Sequence, residues 1–173
     1  NQSINTAFIS LNPGKAPDGA DLKVVSDERG NSYEVEKLTT ASPLTRQFLL
    51  LCKFLKTKPS NVLTGPACPF RGNRWKDFNS QQKQEGFRLG NEFWNEALNG
   101  IELIIVLGDE ARKSINKIVK ADLELETKSG WGNTKLKRFK NIHGVRIIQL
   151  PHLSTFKLFS RDECKFYLNR IFS

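Results

Sequence analysis

Two residues able to do chemistry, Asn12 and His152, stand at matching places in the chain although 152 − 12 = 140 positions separate them. Asn12 closes the apolar run Ala7 to Leu11 in Phe8-Ile9-Ser10-Leu11-Asn12-Pro13-Gly14, and His152 follows Val145 to Leu150 through Pro151. Both runs read as buried strands, which puts each residue at a strand's carboxyl end, where open α/β sheets bind ligands. Pro13 fixes its own φ and Gly14 lets the backbone approach a ligand, so the Asn12 amide is aimed. Asn-Pro-Gly is also ordinary turn chemistry whatever the function. His152 has more to recommend it, with Ser154 beside it and Lys157 and Arg161 close behind. His143, in a turn before a strand, reads as structural.

A second chemical stretch follows the strand Asn61-Val62-Leu63-Thr64. Gly65-Pro66-Ala67-Cys68-Pro69-Phe70-Arg71-Gly72-Asn73-Arg74-Trp75 combines flexible backbone, flat faces and cations, the materials of a nucleotide-binding wall. A structural loop pinned by Trp75 explains the same residues. Gly108, ahead of a helix start, could hold a phosphate, but one glycine makes no phosphate-loop pattern and packing explains it better.

The positioning elements alternate along the chain. Ser42 and Pro43 open a helix whose Leu44, Phe48, Leu51, Cys52 and Leu55 share one face. Ser80 is expected to cap a helix over Gln81 to Asn99 that stops at Gly100. Ile101 to Leu107 reads as a strand, and its continuous apolar run Leu103 to Leu107 is the mark of burial on both faces. Asp109 is expected to cap the next helix. Lys15 to Leu38 reads as a long polar connection, and the lysine-rich Leu123 to Asn141 as a β excursion at the sheet's edge. Ser160 and Glu163 form an expected capping box for the closing helix. This order predicts an α/β fold, a three-layer αβα domain over residues 1–173 with a central, mainly four-stranded parallel sheet.

Bulk properties narrow the function. At 173 residues the chain is long enough for one well-packed domain, and 38% hydrophobic with 26% charged residues is a globular composition. Cys52, Cys68 and Cys164 form no close pair, and two histidines cannot build a His-rich cluster, so neither a disulfide framework nor a metal or other cofactor is expected. No apolar run matches a membrane span and no signal-peptide pattern opens the chain, so the expected location is cytoplasmic, nucleoid-associated or nuclear. The absence of methionine suggests that the true start is missing. The net charge of +9 favours a polyanionic partner, nucleic acid first, although a solvated basic surface carries the same charge.

At the two tips the sequence resembles the uracil-DNA glycosylase superfamily. Ser10-Leu11-Asn12-Pro13-Gly14 is similar to the first signature of its mismatch-specific and single-strand-selective branches. His152-Leu153-Ser154 is similar to the second, usually His-Pro-Ser, and Ile105-Val106-Leu107-Gly108 followed by Ala111 resembles the connecting strand and helix. The resemblance implies hydrolysis of the N-glycosidic bond of a flipped-out base, leaving an abasic site. It implies that Asn12 holds the attacking water and that neutral His152 hydrogen-bonds the departing base. Leu11, Pro13, Gly14, Thr64, Gly65 and Phe70 would line the base pocket.

The same resemblance places Lys15, Arg71, Arg74, Ser154, Thr155, Lys157 and Arg161 on the DNA backbone. Phe156, with Leu158 as substitute, would fill the vacated stack. DNA is thus the expected partner, and a monomer the expected state. Three departures from the family bear on the substrate. Thr64-Gly65-Pro66 offers no base-reading amide unless Asn61 or Asn73 substitutes. Leu22, Val24 and Val25 leave stacking to Phe70, and Leu153 replaces proline. A glycine at 65 would enlarge the pocket for a bulkier or modified base. A catalytically silent DNA-binding module of the same fold, or a nucleotide-binding domain, are the other readings.

Overall fold

The computed structural model describes residues 4–14, 31–38 and 41–173. Its elements are β1 (Thr6–Ser10), α1 (Ser32–Lys37), α2 (Pro43–Phe54), β2 (Val62–Pro66), α3 (Ser80–Ala97) and β3 (Leu103–Leu107), followed by α4 (Asp109–Val119), β4 (Asp122–Lys128), β5 (Lys135–Lys140), β6 (Arg146–Leu150) and α5 (Asp162–Phe172). The fold is α/β, but the sheet has six strands in the order β2-β1-β3-β6-β5-β4 and is mixed. β1 pairs in parallel with β2 and β3, and β3 with β6. β5 and β4 continue the sheet antiparallel. The expected sheet was too small because Leu123 to Asn141 contributes a full hairpin. Alternating charge along β4 and β5 hid it: those strands put lysine and glutamate into water and bury little beyond Leu136, Phe139 and Thr127.

Successive strand residues face opposite ways, and the sequence is apolar on both. Phe8, Ile105, Leu107, Ile148 and Leu150 pack with Phe48 and Leu51 of α2 and with Leu168 and Ile171 of α5. Ala7, Ile9, Ile104, Val106 and Ile147 pack with Trp94 of α3 and with Ala111 and Ile115 of α4. Each large side chain buried this way contributes about 1.5–3 kcal/mol.

Helix starts follow local chemistry, with corrections. Ser42 caps α2 by accepting from the Thr45 N–H, with Pro43 in the first turn. Asn79, one residue before the expected Ser80, caps α3 through a capping box with Gln82. Gly108, with φ +86°, occupies the cap position of α4, while Asp109 sits inside the first turn and pairs with Arg112 at 2.9 Å and Lys113 at 2.8 Å. The expected Ser160–Glu163 box is absent: Arg161 holds the cap position of α5 without a side-chain bond. Ser160 is used otherwise, donating to the Lys157 carbonyl and accepting from Gln47 Nε2 at 3.2 Å. Gln47 is 2% exposed and also accepts the Phe159 N–H at 2.9 Å, so buried α2 recruits this loop. The polar connection after β1 contains α1, capped by an Asn31–Glu34 box whose Asn-x-x-Glu spacing was readable in the sequence.

Candidate functional site

Strand register decides whether Asn12 and His152 share a rim. Ile9 pairs with Val106, and Val106 with Gln149, so Ile9 and Gln149 are level across the sheet. Asn12 lies 12 − 9 = 3 residues beyond that level and His152 lies 152 − 149 = 3 beyond it. Only β3 separates β1 from β6, which at ordinary spacing lie about 9.5 Å apart. Between them, just past the end of β3, lies Gly108, where an added Cβ would meet nothing within 4 Å. The arrangement is two side-chain-bearing tips flanking an open floor.

Asn12 is half-buried and oriented by backbone: its Nδ2 donates to the Pro13 carbonyl at 2.9 Å and lies 3.5 Å from the Gly72 carbonyl. Its Oδ1 accepts no hydrogen bond among the described residues, and a carbonyl oxygen in that position can accept from a water. Opposite, His152 Nδ1 lies 2.7 Å from the Ser154 hydroxyl. If that hydroxyl donates, the ring keeps its proton on Nε2 and presents a donor; if it accepts, Nε2 is bare. Desolvation by its neighbours lowers the His152 pKa below the ordinary 6.5, although the residue as a whole is exposed, so the neutral ring prevails at neutral pH. The loop is tight because the His152 carbonyl accepts the N–H groups of both Thr155 and Phe156 at 3.0 Å, and Leu153 and Leu158 are fully buried anchors.

The exit of β2 stays against Asn12. Ala67 N–H donates to Ser10 at 2.8 Å, Cys68 N–H to Leu11 at 2.9 Å, and Gly72 N–H to Pro13 at 3.3 Å. Arg71 reaches the Gly14 carbonyl at 3.4 Å. α3 seats this loop: added Cβ atoms at Gly86 and Gly90 would stand 2.3 Å from Cys68 Sγ and 1.8 Å from the Ala67 carbonyl oxygen. Half-buried Phe70 rests against Gly86 of α3, while Arg71 and Gly72 hold the loop to the turn of Asn12, Pro13 and Gly14.

Several expected residues lie elsewhere or are engaged. Thr64 and Gly65 are inside β2, paired with Phe8 and Ile9, because the strand runs on to Pro66. Gly65 enlarges no pocket; its vacant side faces the Trp94 indole, and an added Cβ would be 2.9 Å from Trp94 Cζ2. Trp94 Nε1 donates to the Pro66 carbonyl at 2.9 Å, which locks the pair. Leu158 is fully buried and fills no vacated stack. Phe156 is half-buried and meets Trp131 edge-on at 5.9 Å. Arg74 pairs with Asp77 at 3.2 Å, and Trp75 packs on Phe78 and Phe87, so that end of the loop is pinned. Lys157 and Arg161 are exposed on the His152 side. Lys15, like Leu22, Val24 and Val25, lies outside the described residues.

Trp131, between two glycines at the β4–β5 turn, joins this rim, a placement its sequence context did not reveal. A cleft of about 440 Å³ lies at the opposite end of the sheet, lined by Leu98, Ile101, Ile118, Lys120, His143 and Val145. His143 is exposed there. Among the described residues no cluster of three potential metal ligands occurs, and no helix is long and apolar enough to cross a membrane.

Comparison with known proteins found no matching family model and no matching curated protein. Among solved structures the chain is similar to a domain of unknown function (DUF1537) from Bordetella bronchiseptica, solved with bound citrate as a domain-swapped dimer. The TM-score is 0.39 at 8% identity, over 91% of this chain and 40% of that one.

Proposed function

We propose that this protein is a monofunctional DNA glycosylase of the uracil-DNA glycosylase type, a three-layer αβα domain that acts as a monomer on an extruded uracil-like or modified base. The observation that carries the reading is the matched height of Asn12 and His152 on either side of the open floor at Gly108. Extrusion costs roughly a few kcal/mol of stacking and pairing. Phe70, resting on α3, supplies a flat face to the base, and half-buried Phe156 on the His152 loop is the apolar group that fills the vacated stack. Exposed Arg71, Thr155, Lys157 and Arg161, with Arg74 at the loop's far end, supply backbone contacts.

In the reaction the water oxygen forms a bond to the sugar C1′ as the C1′–N bond breaks. The bonding pair leaves on the base, and the water's proton passes to solvent, since an asparagine cannot take it. Asn12 Oδ1 holds the water. His152, its proton kept on Nε2 by the Ser154 hydroxyl, donates to the base oxygen where negative charge develops. Because Asn12 itself takes no proton, turnover is slow.

Base release from a panel of single-lesion oligonucleotides tests the reading. His152→Ala is expected to lower excision about 10²–10³-fold, and Asn12→Ala about 10²-fold through the lost water. Cleavage of plain uracil alone would remove the modified-base part. A second reading, a catalytically silent DNA-binding module, draws on the Asn12 amide held by backbone and on Trp94 filling the space beside Gly65. It prevails if the wild type releases no base while wild type and both variants bind DNA with equal salt sensitivity.

A further inference from the structure

The turn between β4 and β5 is built to hold an indole still. Ser129 is fully buried, and its Oγ accepts the Trp131 N–H at 3.0 Å. The Thr134 N–H donates to the Trp131 carbonyl at 3.2 Å. Gly130, with φ +81°, lies flat on the start of α5: an added Cβ would stand 2.3 Å from the Glu163 carbonyl oxygen. Register brings the turn to the rim, because Lys137 pairs with Gln149 in the antiparallel ladder, so the chain before Lys137 runs on past the end of β6 from which His152 leaves.

On that fixed ring lies a cation. The Arg161 guanidinium carbon is 3.8 Å from the Trp131 ring centre, and Phe156 braces the indole edge-on at 81°. Among the described residues Arg161 has no carboxylate partner, whereas Arg74, Arg88, Arg112 and Arg138 each have one. A stacked guanidinium still presents its N–H edge in a fixed plane, the geometry that grips a phosphate through two parallel hydrogen bonds. Stacking it beforehand removes much of the side-chain freedom that binding would otherwise cost.

We propose that Trp131 is a positioning residue that holds Arg161 flat beside His152, so that its guanidinium clamps one backbone phosphate of the strand carrying the extruded base. The proposal rests on the DNA-glycosylase reading and adds a residue outside both signatures. Phe156 is thereby a brace for the clamp as well as an apolar rim group.

The test is fluorescence anisotropy of the full chain on single- and double-stranded oligonucleotides across a salt series, with excision measured alongside. Arg161→Gln, an exposed change, is expected to reduce the log–log salt slope by about 0.9 on duplex or 0.7 on single strand, the loss of one phosphate contact. Trp131→Leu keeps every charge, so the slope stays while binding weakens about two- to fivefold. Trp131→Phe is expected to restore most of that loss, and Trp131→Leu combined with Arg161→Gln to bind no worse than Arg161→Gln alone. An unchanged slope in Arg161→Gln, or additive losses in the double variant, overturns the clamp. The glycosylase reading then survives if wild-type excision and salt-dependent binding persist. A wild type that binds DNA without salt dependence overturns both.

Discussion

His152 shows how a single contact sets what a side chain can do. The Ser154 hydroxyl at 2.7 Å engages Nδ1 and leaves Nε2 to face a ligand, and crowding lowers the tendency of the ring to gain a second proton. The folded-state pKa is therefore below the unfolded value near 6.5. A depressed value means that this group's contribution to stability is present above 6.5 and is lost as pH falls through the folded value. Excision that needs the neutral ring has the same sense: level on the neutral side and falling only below about 6.5. An NMR titration of the His152 ring is expected to show a midpoint under 6.5 in the wild type, and a midpoint above it would contradict the assigned role. At Asn12 the family resemblance implied a water-holding oxygen, and the backbone bonds to its nitrogen leave that oxygen without a partner among the described residues. At Gly65 the residue type misled, because a missing side chain reads as space until the neighbour that fills it, Trp94, is known.

Among the elements, α3 has the clearest structural duty toward the site. Gly86 and Gly90, four residues apart, form one smooth face that lets the helix touch the Ala67–Cys68 backbone and hold the loop that carries Phe70 and Arg71. Helix propensity alone favours Gly90→Ala by about 1 kcal/mol. The added methyl would stand 1.8 Å from a backbone carbonyl that cannot swing aside, a clash of about 3 kcal/mol. The clash wins, and urea unfolding is expected to show a net loss of about 2 kcal/mol. Unchanged or raised stability would mean that α3 does not seat the loop. Its starting point was legible to within one residue because Asn79 and Gln82 are local partners. The start of α5 was misread, because Ser160 answers to Gln47, which lies 113 residues away.

At the scale of the whole molecule, the sheet carries a gradient of protection. β3 lies between β1 and β6, and four of its five residues are fully buried, whereas β4 is the outer strand and most of its residues are exposed. Opening of β3 therefore requires global unfolding, and opening of β4 does not. Amide exchange is expected to be slowest in Leu103–Leu107 and fastest, among the strands, at the unpaired edge of Asp122–Lys128; equal protection would argue against the hairpin as the sheet's margin. The same layering explains what could be read early. Hydrophobic periodicity and local caps by themselves determined the α/β class, the approximate places of β1, β3 and β6, and the candidacy of Asn12 and His152, since those signals arise from near neighbours in the chain. Tertiary structure alone decided the common height of the two tips, the hairpin that enlarges the sheet, the Trp94 indole beside Gly65 and the Trp131–Arg161 stack. Each depends on register or contact between distant segments, where partners are chosen by packing and by the pairing of backbone groups.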